Sequence, residues 1–182
     1  MASSPQKHEA GLVCRVRRTV VADSPEERVR QELLSFLAGP GGYPPGLLAV
    51  EVSLASLVGL VQGPLPRRRL DIVCFHPLSQ GGLAPLLLVE CKAAAPRPSA
   101  LSQVNGYNRS LQAAAVALAW PGAIVLCRDG ATLYQGSIAQ MPSYEILRKI
   151  LFQNSDSAYS NKEARRCTLE TCEGHDETRQ SR

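Results

Sequence analysis

No apolar run in this 182-residue chain approaches the roughly 20 residues needed to cross a bilayer, so no membrane span is expected. The first residues, MASSPQKHEAG, contain no apolar core and do not read as a secretory signal. A Gly-rich phosphate loop is also missing. The glycines at 39–42 (GPGG) follow a predicted helix instead of opening one, which excludes a dinucleotide or P-loop site there. There is no internal repeat. Strong charge of either sign is lacking: 20 Lys and Arg against 16 Asp and Glu leave +4, which permits nucleic-acid binding without demanding it. The six cysteines are scattered at 14, 74, 91, 127, 167 and 172. Cys74, Cys91 and Cys127 sit inside apolar runs, where a reduced thiol acts as a small hydrophobe. That usage points to a cytoplasmic chain with free thiols. Cys167, Cys172 and His175 hint at zinc, but they lack a fourth ligand and the usual spacing.

What is present reads as one domain over 12–153, after a disordered N-terminus (1–11) and before a polar disordered tail (154–182). A short β-like segment carries Arg15, Arg17 and Arg18. Ser24 as N-cap, Pro25 at the first helical position and Glu27 three residues after the cap form a capping-box signature. The helix it opens runs to about Ala38, with Val29, Leu33, Phe36 and Leu37 on its apolar face. Leu47 to Leu57 reads as a strand with Glu51 in its middle. Leu70–Phe75 and Leu86–Lys92 read as two further strands joined through a Pro- and Gly-containing turn. A second helix covers about Ala100 to Ala115. The apolar material at Ala114–Ala119 follows, then a hairpin of Ala123–Cys127 and Thr132–Gln135, then a helix from Tyr144 to about Gln153. The class is α/β: a mixed central sheet flanked by helices.

The chemistry gathers on the middle strands. Asp71 starts one and Glu90 ends the next, so an antiparallel pair brings them to the same end of the sheet. Alternation puts Glu90 and Lys92 on one face and Cys91 on the other. Two carboxylates beside apolar runs are costly unless paired or bound to a cation. All-oxygen ligation with room for a phosphate is Mg²⁺ chemistry. A structural ion-pair cluster on a strand end is the competing reading.

Helix, strand, Asp strand, E-x-K strand, then a helix carrying Gln103 and Tyr107 resembles the active-site core of the PD-(D/E)XK nuclease superfamily. More narrowly, residues 24–31 (SPEERVRQ), 42–44 (GYP), Arg68-Arg69-x-Asp71-Ile72-Val73, residues 88–92 (LVECK) and Gln103 through Tyr107-Asn108 resemble the N-terminal nuclease domain of type I restriction enzyme R subunits. The resemblance covers about 12–136 and implies a restriction-endonuclease-like core that hydrolyses DNA. It implies that Asp71, Glu90 and the backbone carbonyl of Cys91 hold Mg²⁺, with Mn²⁺ as the alternative ion. Lys92 then positions the attacking water, Glu27 is an accessory acid, and Gln103, Tyr107, Arg68 and Arg69 contact DNA. Leu70 stands where the superfamily's name has Pro. A helicase motor does not follow, so ATP-driven translocation would need a partner, such as a restriction-modification or helicase subunit. An oligomer is compatible with this picture, as is a non-catalytic DNA-binding or assembly module on the same fold.

Several residues keep two readings. Glu27 serves the capping box or the site. Glu51 faces the site or solvent. Gln103 and Tyr107 touch nucleic acid or form a hydrogen-bonded helix face. The run Arg67–Arg69 binds phosphate or is a solvated turn. His76 reads as a turn residue.

Overall fold

The computed structural model describes residues 11–57, 69–97 and 99–152. Arg67, Arg68, Cys167, Cys172 and His175 lie outside the described residues, as do residues 1–10 of the predicted disordered N-terminus and the whole predicted disordered tail.

A two-residue hairpin, β1 (Leu12–Val13) and β2 (Val20–Val21), precedes α1 (Pro25–Leu37). The helix starts where the sequence says it should. Ser24 is extended and its side chain accepts the Glu27 N–H at 3.1 Å, with Pro25 following. Val29, Leu33, Leu34 and Leu37 are all buried, and Phe36 packs partly against them. The helix ends at Ala38, whose N–H still reaches the Leu34 carbonyl at 3.0 Å before Gly39-Pro40 stops the pattern.

The main sheet has six strands in sequence order: β3 (Leu48–Ser53), β4 (Arg69–Pro77), β5 (Leu83–Cys91), β6 (Ala115–Trp120), β7 (Ala123–Arg128) and β8 (Ala131–Ser137). All neighbours are antiparallel except β5 and β6, which run parallel. A parallel pair needs a crossover, and α2 (Ser99–Leu111) supplies it. The last helix is α3 (Tyr144–Phe152). This is the mixed α/β architecture expected.

Two layers of core follow from strand alternation. On one face Ile72, Cys74, Val89, Cys91, Ala117 and Ala119 pack with α1 and α3 residues such as Leu33, Leu37 and Leu147. On the other, Val73, Phe75, Leu88, Val116 and Leu118 pack with Val104 and Leu111 of α2. Each fully buried leucine contributes about 1.5–3 kcal/mol relative to exposure.

Two differences from expectation have simple causes. The apolar run at Ala114–Ala119 is a strand, and a central one. An alanine-rich run carries little β preference of its own. Burial on both faces and pairing with β5 and β7 decide its state. His76 is not in a turn. It lies in β4, hydrogen-bonded through Nδ1 to the Tyr144 hydroxyl at 3.1 Å and stacked 4.9 Å from Phe152. No helix among the described residues is long and apolar enough to cross a membrane.

Candidate active site

The registers align three acids. Val50 faces Ile72 and Val52 faces Leu70 across β3 and β4, which sets Glu51 opposite Asp71. Ile72 faces Val89 across β4 and β5, so the next pair outward is Asp71 and Glu90. Glu90 in turn faces Leu118 on β6. One row of the sheet thus reads Glu51, Asp71, Glu90, with no basic residue between neighbours. Like charges directly opposite destabilise a sheet unless counter-charges are supplied.

The backbone bends at this row. Glu51 has φ +49°, in the left-handed region that a non-glycine residue seldom adopts. The Glu51–Asp71 pair is missing from a ladder intact on both sides. Arg69 donates from Nε to the Glu51 carbonyl at 3.1 Å and so braces the turned peptide. Leu70 packs on the α2 side, although strict alternation from Ile72 would send it to the α1 side. The twist lets Glu51 and Asp71 meet a side chain from α1.

That side chain is Arg30, only 7% exposed. Its Nη2 donates to Asp71 Oδ1 at 2.7 Å. Its Nη1 donates to Glu27 and lies 3.5 Å from Glu51 Oε1. Glu27 also accepts from Gln31 Nε2 at 2.7 Å. The two readings of Glu27 therefore divide by atom: its backbone N–H serves the helix cap, and its carboxylate, itself buried, serves this cluster. Burial alone would lower the Arg30 pKa, but the charge and hydrogen bond of Asp71, with Glu27, hold it above the ordinary guanidinium value. Arg17, in the β1–β2 turn, brings Nη2 to 2.6 Å from Glu51 Oε2.

The second oxygen of Asp71 accepts the Cys91 backbone N–H at 2.7 Å. A residue in a strand projects its N–H and carbonyl from the same edge. The Cys91 carbonyl therefore points toward β4, away from β6. The Cys91 thiol is pushed well up, first by burial and then by the Asp71 charge. One residue on, the Lys92 N–H bonds the Ala119 carbonyl at 2.8 Å, which anchors the strand end. Lys92 Nζ donates to Glu90 Oε1 at 2.9 Å. Because Leu88 faces α2 while Val89 and Cys91 face α1, alternation directs Glu90 to the α2 side, so the Glu90–Lys92 pair adjoins the Arg30 cluster at the strand end without sharing its face.

On α2, Gln103 Nε2 donates to the Tyr107 hydroxyl at 2.9 Å, and Gln103 is exposed. Asn108 does something else. Its amide both donates to the Ala113 carbonyl at 2.9 Å and accepts the Ala113 N–H at 2.7 Å, pinning the turn from α2 into β6.

Asp71, Glu27 and Glu51 are brought together around Arg30; Glu90 and Lys92 form an adjoining pair. Among the described residues, no three His, Cys, Asp or Glu side chains converge on one point as they stand. Their carboxylates are engaged by Arg30 and Lys92. The donor set nonetheless suits a hard divalent ion, being all oxygen, and the cluster already surrounds a cationic group. Sequence reasoning passed over Arg30. The available signal was a charged residue on the buried stripe of α1, three residues after Glu27 and beside Val29 and Leu33.

A mixed sheet flanked by helices, with carboxylates aligned on adjoining strands and a lysine at the strand end, is an α/β core of the restriction-endonuclease kind. The family model described as type I restriction enzyme R protein N terminus (HSDR_N) matches residues 25–132, and the chain belongs to that family. Comparison with the curated proteins and with the solved structures gives no match.

Proposed function

We propose that this domain is a Mg²⁺-dependent nuclease of the PD-(D/E)XK type that hydrolyses DNA phosphodiester bonds in the cytoplasm, alone or with restriction-modification or helicase subunits. The observation that carries this reading is the row Glu51, Asp71, Glu90 across three adjoining strands, with Lys92 paired to its last member. Asp71 and Glu90 would hold the ion, joined by the Cys91 carbonyl, and Mn²⁺ would serve in its place. When bound, such an ion neutralises phosphate charge and makes water a better nucleophile. The chain's own residues do the rest. Glu90 holds the Lys92 ammonium, which orients the attacking water and offsets charge on the phosphate. Glu27 acts as an accessory acid by fixing Arg30. Gln103, Tyr107, Arg69 and Arg68 supply contacts to DNA, with Arg suited to paired bonds with phosphate oxygens. Family membership supports this assignment.

One observation favours a second reading. Asp71 spends both oxygens on Arg30 and the Cys91 N–H, an arrangement that also suits a non-catalytic DNA-binding or assembly module. Supercoiled plasmid incubated with Mg²⁺ or Mn²⁺ separates the two. The nuclease reading expects nicking or linearisation by the parent chain, lost in Asp71→Ala and in Lys92→Ala. DNA retention by all three proteins with no metal-dependent cleavage by any would establish the module instead.

A further inference from the structure

Three carboxylates from three elements meet one buried guanidinium. Glu27 comes from α1, Glu51 from β3 and Asp71 from β4. With Arg17 against Glu51, three negative charges face two positive ones, and the cluster keeps one net negative charge. The pairing of Arg30 is also incomplete. Its buried Nε finds no acceptor among the described residues, and its approach to Glu51 is the longest of its three. Glu51 holds its place at a backbone conformation that costs energy, as residues at functional sites often do.

We propose that Arg30 is the resident counter-ion of this site and Glu51 its additional acid. In the metal-free protein the Arg30 guanidinium bridges Glu27, Glu51 and Asp71. A divalent cation binds at the expense of the Arg30–Asp71 pair. Arg30 is thus a positioning residue that keeps mutually repelling carboxylates gathered, and it competes with the ion they attract. Glu51 contributes charge to the same cluster and so raises cation affinity. This rests on the proposed cation site and gives Arg30 and Glu51 a direct part in setting its cation affinity.

The test is Mn²⁺ binding by calorimetry, without DNA, on the full chain. Arg30→Met keeps the aliphatic stem and removes the competing charge. It should bind Mn²⁺ about tenfold more tightly than the parent, the scale of a typical coupling between two sites. Arg30→Lys should show a smaller gain, since an ammonium cannot bridge three carboxylates at once. Adding Glu51→Gln to Arg30→Met should return most of the gain. A purely structural arginine predicts the opposite sign, because losing it would disorder the carboxylates and weaken binding. Equal or weaker Mn²⁺ affinity in Arg30→Met overturns the proposal, as does the absence of Mn²⁺ binding by every protein in the series. If Arg30→Met is unfolded in EDTA but gains native circular dichroism with Mn²⁺, the proposal stands. If it is unfolded in both, Arg30→Lys decides by the same comparison with the parent. Plasmid cleavage is scored separately: tighter Mn²⁺ binding without cleavage would sink the nuclease reading alone, and cleavage with unchanged Mn²⁺ affinity would sink this proposal alone.

Discussion

Replacing Asp71 by Asn changes one oxygen to an amide nitrogen, and the structure predicts a large cost for that small change. Both Asp71 oxygens accept from donors with no freedom to turn away: Arg30 Nη2 at 2.7 Å and the Cys91 backbone N–H at 2.7 Å. An asparagine can satisfy only one of them. Its amide group then confronts the other donor, and Arg30 loses its closest partner outside α1. Breaking a buried pair by removing one charge costs about 3–5 kcal/mol, and an unsatisfied backbone N–H adds about 1–3 kcal/mol. Both figures need discounting. Glu27 and Glu51 remain beside Arg30, and the Asp71 side chain is 17% exposed, so water can relieve the mismatch. A net loss of about 3 kcal/mol is expected, or about 6–12 °C in melting temperature for a domain of this size. Urea denaturation in EDTA, followed by tryptophan fluorescence or circular dichroism, measures it as a lower midpoint with an unchanged slope. Asp71→Asn as stable as the parent would refute the claim that Arg30 and Cys91 both depend on that carboxylate. The same loss matters for the cleavage assay, since Asp71 variants must be compared well below their melting temperatures.

Alkaline pH should destabilise the fold. Burial pushes the Cys74 and Cys91 thiols above their ordinary value of 9.0, and it pushes the Tyr43 hydroxyl up as well. Above pH 9 the unfolded chain releases thiol protons that the folded chain retains, so stability is full below that pH and falls as pH rises. Each thiol should account for about 1.4 kcal/mol between pH 8 and pH 10, and Cys74→Ala should remove one such share from the difference in urea midpoints. An identical pH dependence in that variant would show that Cys74 ionises freely in the native state. Asn108→Ala should cost about 2 kcal/mol, because it strips both hydrogen bonds from the Ala113 backbone, and it should leave Mn²⁺ affinity unchanged. A calorimetric shift in Mn²⁺ binding would place Asn108 in the site after all.

Local chemistry made much of this protein legible from its residues alone. Ser24, Pro25 and the 3.6-residue stripe of Val29, Leu33 and Leu37 specify α1 without reference to anything distant, because caps and periodicity act within a few residues. The two acidic strands are short apolar runs between Pro and Gly, so Asp71, Glu90 and Lys92 could be brought to one sheet end by pairing rules. What could not be read depends on contacts far apart in sequence. Arg30 and Asp71 are 41 residues apart, and nothing local marks an arginine on an apolar stripe as the partner of three acids. The state of Ala115–Trp120 was decided by strands on either side, since alanine prefers no sheet by itself. Glu51 offered equal cause to face solvent or the site until the register with β4 and a positive φ turned it inward. Sequence determined which groups the chain carries and which elements bear them. Tertiary structure decided which charges must share a space, because the cost of burying a charge depends on what the fold sets beside it.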